Sequence, residues 1–310
     1  MNPQAAIPAA KESPEGSRIF WKRKRPLYKR LLPYLYLLPI LAFAAAFTYQ
    51  PFTRVILQSL HRVNRGGELL AFVGGDNFGR LFSGGAFWNA FVITMKLVTL
   101  YVPISLILSL ALAMLCTRRR KFSSVYELAF LLPMAISMSA LSMIFKLLLN
   151  PTSGIVNQLL SVRWGWFLDK QFAIYGILLV CIWMGLSFDF LVFLAAMRNI
   201  PPSVIEAATI DGAGPITKFV HIYLPMLSPM IFYIVCTNII QSIMTSGPVM
   251  IITEGGPARS TTTLIYMMYT SGFQSSDYST AACISIIVFV LTLLFTLLSF
   301  SFEKKGVHYQ

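Results

Sequence analysis

The chain has 310 residues, of which 56% are hydrophobic and only 12% charged. Soluble domains carry about 25% charged residues, so the composition excludes an ordinary soluble fold and predicts one polytopic membrane bundle. The formal net charge of +13 does not indicate nucleic-acid binding, because the basic residues flank the apolar runs, as membrane topology requires.

Six apolar runs are long enough to cross a bilayer. They cover about 31–52, 89–116, 128–149, 172–197, 223–246 and 281–302. The first follows the basic run Lys22-Arg23-Lys24-Arg25 and is uncharged. It has the form of a signal peptide, but about 33 Å of helix is enough to span a bilayer, which favours a retained helix. We therefore predict an all-α membrane protein with a basic tail (1–30), a six-helix transmembrane domain (31–302) and a second tail (303–310).

The basic residues also predict the orientation. Both tails, the 118–121 loop and the segment around 198–218 together hold sixteen Lys and Arg, whereas the opposite loops hold seven. Cytoplasmic loops carry the excess of positive charge. Both termini and the polar segment 201–222 are therefore predicted to face the cytoplasm.

The sequence predicts no catalytic residues, no metal site and no cofactor. The four cysteines all fall in apolar runs without metal-ligand spacing, and the three histidines are far apart. No glycine is followed by Lys and then Ser or Thr, so the chain lacks a Walker A phosphate loop.

Segment 201–222 is a polar island between the fourth and fifth runs and reads as a helix–turn–helix elbow. Pro201 and Pro202 end the preceding helix, and Ser203 with Glu206 has the spacing of a capping box, which predicts a helix starting at Ser203. Gly212 and Gly214 tolerate strained backbone, and Pro215 suits the first position of a second helix.

The elbow resembles the cytoplasmic coupling motif of ABC-importer permeases, in particular the carbohydrate-uptake family of type I importers. The family pattern E-A-A-x-x-x-G, followed by I-x-L-P, stands here as Glu206, Ala207, Ala208, Asp211, Gly212 and Ala213, then Phe219, Ile222, Leu224 and Pro225. Three other stretches are also similar to that family: Phe72-Val73-Gly74-Gly75-Asp76-Asn77-Phe78, Trp183-Met184-Gly185 and Thr253-Glu254-Gly255-Gly256-Pro257. The matching features extend over most of residues 31–302.

The resemblance implies a multi-pass permease in the bacterial cytoplasmic membrane. In that family the elbow docks into an ATPase subunit and carries nucleotide-driven motion to the membrane helices. The expected partners are a second similar permease, two ATPase subunits or domains, and an extracytoplasmic solute-binding protein. ATP and Mg would be bound by the ATPase. The expected cargo is a sugar or oligosaccharide.

Polar residues in the fifth run are costly in a membrane and need an explanation. Asn238, Gln241, Ser242 and Thr245 are spaced to share one helical face. They would either bind sugar hydroxyls in a substrate pathway or bond neighbouring helices. The family resemblance favours the pathway, because this helix lines the substrate site in relatives.

The fourth run offers further candidates for the substrate pathway. Met184, Gly185 and Phe188 share a face with Cys181, where relatives offer an amide, and Trp183 is either a stacking or a packing residue. Asp189 would either bind a cargo hydroxyl or pair with a basic group on a partner helix.

Lys96 and Lys146 also lie within predicted spans. Lys146 is able to snorkel toward the membrane surface, whereas Lys96 is a candidate contact for an anionic, sugar-phosphate-like cargo. The alternative function is a self-sufficient secondary transporter or channel. It would be supported by an inverted repeat of broken helices, and none is evident in the sequence.

Overall fold

The computed structural model describes residues 27–117 and 122–306, and side chains for 34–117 and 122–301. The basic run 22–25 and the loop 118–121 lie outside the described residues. The chain divides into two units, residues 1–52 and 53–310. The first unit is described by α1 (Leu27–Ala44), a π-helical turn (Ala45–Tyr49) and the start of α2 (Gln50–Leu60).

An unpredicted β-hairpin follows α2. Strands β1 (His61–Val63) and β2 (Leu69–Phe72) pair antiparallel, and Gly67 supplies the positive φ of +83° that their turn requires. The buried Asn77 at the start of α3 (Asp76–Ser83) donates to the backbone oxygens of Ser59 and His61 at 2.8 and 2.9 Å. This amide fastens α3 to the chain that enters the hairpin.

Two long helices form the centre of the bundle. Helix α4 (Gly85–Thr117) is the longest α-helix in the described part of the chain, and α8 (Ala173–Arg198) packs along it. Between them in sequence lie α5 (Ser123–Ala135), α6 (Met138–Leu148) and the short α7 (Ile155–Leu159). Leu97 of α4 with Ile177 and Val180 of α8 belong to one apolar cluster, because both helices are apolar on all sides.

The elbow follows α8 as α9 (Pro202–Ile210) and α10 (Pro215–Lys218). A π-helical turn (Phe219–Tyr223) and α11 (Leu224–Met226) lead into α12 (Ser228–Ile243). The chain then forms a π-helical segment (Val249–Thr253), α13 (Leu264–Tyr269), another π-helical turn (Thr270–Gln274) and α14 (Tyr278–Gly306).

Two of the six predicted spans are broken helices. Within the described residues, four helices are long and apolar enough to cross a membrane: Tyr34–Leu60, Gly85–Thr117, Ala173–Arg198 and Tyr278–Ser301. The third predicted span bends by 105° between α5 and α6, and the fifth bends by 68° before α12. Counting each bent pair as one span gives six. The sequence analysis did not identify these two breaks.

Proline accounts for both breaks. Pro133 lies three residues before Ile136, whose extended backbone ends α5, and Pro229 lies in the first turn of α12, where its missing N–H is tolerated. Directly after Ile136, Ser137 caps α6, its hydroxyl oxygen accepting from the Ala140 amide at 3.3 Å. Each bend is thus a helix end with a new helix start.

Candidate functional site

The first turn of the elbow differs from the predicted capping box. Pro201 is the N-cap of α9 and Pro202 its first residue, and no side chain caps the turn. Ser203 already lies inside the helix, so its hydroxyl does not stand at the cap position that a capping box requires. Proline at N1 removes one amide that would otherwise need a partner.

The turn between the elbow helices is a Schellman motif. The Ala213 amide donates to the Ala208 carbonyl at 2.9 Å and the Gly212 amide to the Thr209 carbonyl at 3.1 Å. Gly212 adopts a φ of +77°, as predicted. Gly214 does not need its glycine freedom, since its φ is −70°. Pro215 occupies the first position of α10, also as predicted.

The elbow is braced internally but exposes its outer surface. Lys218 Nζ donates to Thr209 Oγ1 at 2.8 Å, joining α10 to α9. Both elbow helices contain no buried residue, and Ile210 and Ile216 are 87% and 78% exposed. Two isoleucines so exposed at one turn form an apolar tip. The remaining motif residues are exposed or half-buried: Glu206, Ala207, Ala208, Asp211, Ala213, Phe219, Leu224 and Pro225.

The base of the elbow is held by a bidentate ion pair. Arg198, the last residue of α8, contacts both carboxylate oxygens of Glu127 at 2.5 and 3.1 Å. Its Nη2 also donates to the Cys116 carbonyl at 3.3 Å. These bonds tie the elbow ends of α4, α5 and α8 together, beside a cavity of about 580 Å³ that Glu206 and Lys218 help to line.

A second cavity of about 410 Å³ lies between α4, α6, α8 and the end of α12. We call it the central cavity. Its lining combines hydrogen-bonding groups with thioethers and one aromatic ring: Tyr101, Met138, Cys181, Met184, Gly185, Gln241, Met244, Thr245, Ser246, Gly247 and Pro248. Small-molecule sites commonly have this composition, an apolar wall with a few placed polar groups.

Four of the predicted pathway residues line this cavity: Met184, Gly185, Gln241 and Thr245. Position 185 requires glycine because the Tyr101 side chain packs closely against it, and a Cβ there would overlap the Tyr101 hydroxyl. Thr245 is not on the helix as predicted, since α12 ends at Ile243 and Met244 is its C-cap.

The other predicted pathway residues lie elsewhere. Trp183 is 45% exposed and contacts the Phe145 ring edge-on, and the half-buried Phe188 packs near Tyr233, their ring centres 6.4 Å apart. Ser242 is buried and donates to the Ile239 carbonyl at 2.9 Å. These three side chains are not part of the cavity lining.

Asn238 and Asp189 are bonded to each other. Asn238 Nδ2 donates to Asp189 Oδ2 at 2.7 Å, and Ser105 Oγ donates to the same oxygen at 2.8 Å. All three side chains are at most 1% exposed. In this structure Asn238 bonds one helix to another, the second of its two predicted roles, and Asp189 has polar neutral partners in place of a basic group.

The threonine run after the Gly-Gly-Pro turn positions one wall of the cavity. Thr261 and Thr262 donate to the carbonyls of Gly256 and Gly255 at 2.8 and 3.1 Å. Thr263 donates to the Thr245 carbonyl at 2.9 Å and also caps α13. The run therefore folds the turn back onto the segment that contributes Thr245.

Neither intramembrane lysine lines the central cavity. Lys96 lies over the Tyr175 ring, 4.5 Å from its centre, a cation–π contact. Lys146 donates to the Ile251 carbonyl at 3.1 Å and lines a separate cavity of about 260 Å³. Arg198–Glu127 is the one ion pair found among the described residues.

Sequence reasoning missed several lining residues, above all Tyr101 and Met138. Tyr101 is a polar aromatic residue within an apolar run, with Ser105 one turn later, and that spacing was a usable signal. The sequence contained no such signal for Met138, because only the bend before α6 brings its side chain against Gly247.

A bundle of apolar helices around a cavity with a few polar groups, with an exposed elbow at one end, is the architecture of a membrane transport subunit. Within the described residues no group of three or more His, Cys, Asp or Glu could hold a metal ion. The chain belongs to the family of binding-protein-dependent transport system inner membrane components, whose model matches residues 107–305.

Related proteins match over nearly the whole chain. The chain is 33% identical over 291 residues to the sn-glycerol-3-phosphate transport system permease protein UgpA of Pectobacterium atrosepticum, covering 92% of this chain and 99% of that protein. It is 34% identical over 283 residues to UgpA of Yersinia enterocolitica, covering 90% and 96%. The predicted family and the membrane localisation are thereby confirmed.

Solved structures support the fold. A bacterial ABC transporter involved in import of the acidic polysaccharide alginate contains a chain that superposes with a TM-score of 0.79 at 23% identity, covering 90% of this chain and 97% of that one. The alginate transporter in complex with its pentasaccharide-bound periplasmic protein gives 0.80 at 22% identity. The predicted helical permease fold is confirmed, and the small β-hairpin is the part of it that was not predicted.

Proposed function

We propose that this chain is the translocating subunit of an ATP-driven importer and that its elbow engages a separate ATPase. The observation that carries the proposal is the elbow itself. It is braced by a Schellman turn and by the Lys218–Thr209 bond, yet it presents Ile210 and Ile216 to solvent. A rigid segment with an exposed apolar tip suits a lever that docks into a partner.

The expected assembly follows the family resemblance. A second, similar permease, two ATPase subunits or domains and an extracytoplasmic binding protein would complete the importer, and ATP with Mg would be bound by the ATPases. The excess of basic residues beside the elbow supports an orientation with elbow and termini in the cytoplasm. Family membership argues against a self-sufficient secondary transporter, although two helices are broken.

The proposed cargo is a sugar or a related polyol derivative. The central cavity offers an amide and three hydroxyls, from Gln241, Tyr101, Thr245 and Ser246, which suit the hydroxyl groups of such a molecule. An anionic form is favoured by its relatives: the UgpA proteins are named for sn-glycerol-3-phosphate and the similar structures for acidic alginate. Among the described residues the lining of the central cavity contains no Lys or Arg, so the support for an anionic cargo comes from the relatives.

The test is the composition of the complex purified in mild detergent, read by mass spectrometry. The wild-type chain should co-purify with an ATPase and a second permease. Ile216→Asp places a charge on the apolar tip and should reduce ATPase recovery strongly, since burying one isoleucine contributes about 1.5–3 kcal/mol. The matched control is Leu159→Asp, at an equally exposed apolar position (79%) outside the elbow.

Equal ATPase recovery with both variants would refute docking through the elbow tip. A wild-type chain that is recovered alone and still transports after reconstitution would refute the importer assignment itself.

A further inference from the structure

The buried carboxylate of Asp189 is an expensive feature of this membrane bundle. Its side chain is 1% exposed, and a charge in such surroundings is costly unless it is bonded. Both of its hydrogen bonds come from other helices, from Ser105 on α4 and Asn238 on α12, and both end on Oδ2. We call Ser105, Asp189 and Asn238 the carboxylate clasp.

The clasp lies between the elbow and the central cavity. On α8, Gly185 lines the cavity one turn before Asp189, about 6 Å away along the axis. In the other direction α8 runs about 13 Å to Arg198, its last residue. On α12, Gln241 lines the cavity three residues after Asn238.

Asp189 and Asn238 lie on the two helices that are joined to the elbow. Helix α8 leads into the elbow through residues 199–201, and the elbow continues into α12 through the π-helical turn and α11. The 68° bend before α12 leaves that junction without a continuous helix. Because a bend can absorb motion, α12 needs a second attachment if it is to move together with α8.

We propose that the carboxylate clasp is this attachment: Asp189 is a positioning residue that makes α8, α12 and α4 respond together when the elbow moves. The inference rests on the proposed function, because it requires an ATPase that displaces the elbow. The cavity wall then changes shape with the nucleotide state, since Gly185 and Gln241 lie one turn beyond the clasp on its two main helices.

The test follows the cavity through Cys181, which lines it. A complex keeps Cys181 as the only cysteine of this chain, with Cys116, Cys236 and Cys283 replaced by alanine. The rate at which a charged methanethiosulfonate reagent modifies Cys181 is measured without nucleotide and with ATP plus vanadate. Coupled sites typically shift an equilibrium by about 5- to 150-fold, so the two rates should differ at least about 5-fold in the parent complex.

Asp189→Leu removes both bonds, and the ratio of the two rates should fall below about 2-fold, outside the range typical of coupled sites. Asp189→Asn keeps an oxygen that can accept both bonds and should restore much of the ratio. If Asp189→Leu does not assemble, Ser105→Ala decides, because it removes one bond without leaving a buried donor and should lower the ratio partly. Full nucleotide dependence in Asp189→Leu, or in Ser105→Ala where that variant decides, overturns the proposal.

A merely structural role would lower the yield of all states and leave the ratio unchanged in the recovered complex. Failure of the proposed function looks different: the parent complex would lack an ATPase, or its Cys181 rate would ignore nucleotide.

Discussion

The contact between Gly185 and Tyr101 can be tested by a double-mutant cycle. In Gly185→Ala the new Cβ would overlap the Tyr101 hydroxyl, while the ring carbon that bears this hydroxyl is 3.2 Å away. Overpacking of this kind costs about 1–3 kcal/mol. In a Tyr101→Phe background the overlapping oxygen is gone, and the ring needs to move only a few tenths of an ångström.

The coupling free energy between the two substitutions should therefore be favourable and about 1–2 kcal/mol, within the range for residues in contact. The assay is the thermal unfolding midpoint of the purified complex, where about 2 °C corresponds to each kcal/mol for a large chain. Gly185→Ala should lower the midpoint by about 2–6 °C in the wild type and much less in Tyr101→Phe. Uptake should follow the same order, because Tyr101 lines the cavity.

Gly247→Ala is the matched control. Its Cβ would meet the Met138 side chain, whose end is flexible and can rotate away, so the loss should be smaller. Equal losses for Gly185→Ala with and without the Tyr101 hydroxyl would refute the steric reasoning.

Three further predictions concern other parts of the molecule. Cys181 should react with a small thiol reagent that blocks uptake, and cargo should protect it, whereas the fully buried Cys283 should stay unmodified; labelling with mass-spectrometric readout checks both. Gly212→Ala should cost about 1–2 kcal/mol through left-handed backbone strain alone, because no atom lies within 4 Å of the new Cβ. Gly212→Asn should cost less, and ATPase recovery is the measure for both variants. Equal effects of the two substitutions would contradict the strain argument. Glu127→Gln should destabilise the protein by only about 0.2–1 kcal/mol, since the pair of Glu127 with Arg198 is partly exposed. The difference in stability from wild type should vanish in about 1 M salt, where the screening length is about 3 Å. A loss of stability that persists in high salt would show a buried pair.

The sequence was most informative where local chemistry decides the structure. Gly212 and Pro215 were placed correctly because a positive φ and a first helical position depend on only a few neighbouring residues. The predicted capping box was wrong, and the cause is again a neighbouring residue. Pro202 starts the helix one residue earlier than Ser203, and a proline at the first position takes precedence over a cap at the second.

The cavity was predicted less well because it depends on where helices end and how they rotate. Extending a 3.6-residue period from Asn238 to Thr245 assumed one continuous helix, but α12 ends at Ile243. Sequence spacing alone also gave no means of pairing Asn238 with Asp189, 49 residues apart, since that bond is set by the rotation of α8 against α12. The breaks themselves were foreseeable from Pro133 and Pro229.

Polar bonding is distributed so that the elbow and the cavity differ in rigidity. At the elbow, charged side chains bond a carboxylate, a carbonyl and a hydroxyl, as Arg198 does with Glu127 and Cys116 and Lys218 with Thr209, and the turn is closed by backbone bonds. The cavity is lined instead by parts of several elements: α4, α8, the start of α6 after its bend, and the segment that follows the end of α12. A stiff lever joined to a wall with several helix ends can change the shape of the wall without unfolding the lever. Bonds that cross between helices, such as those to Asp189, then determine how much of the lever's movement reaches the wall.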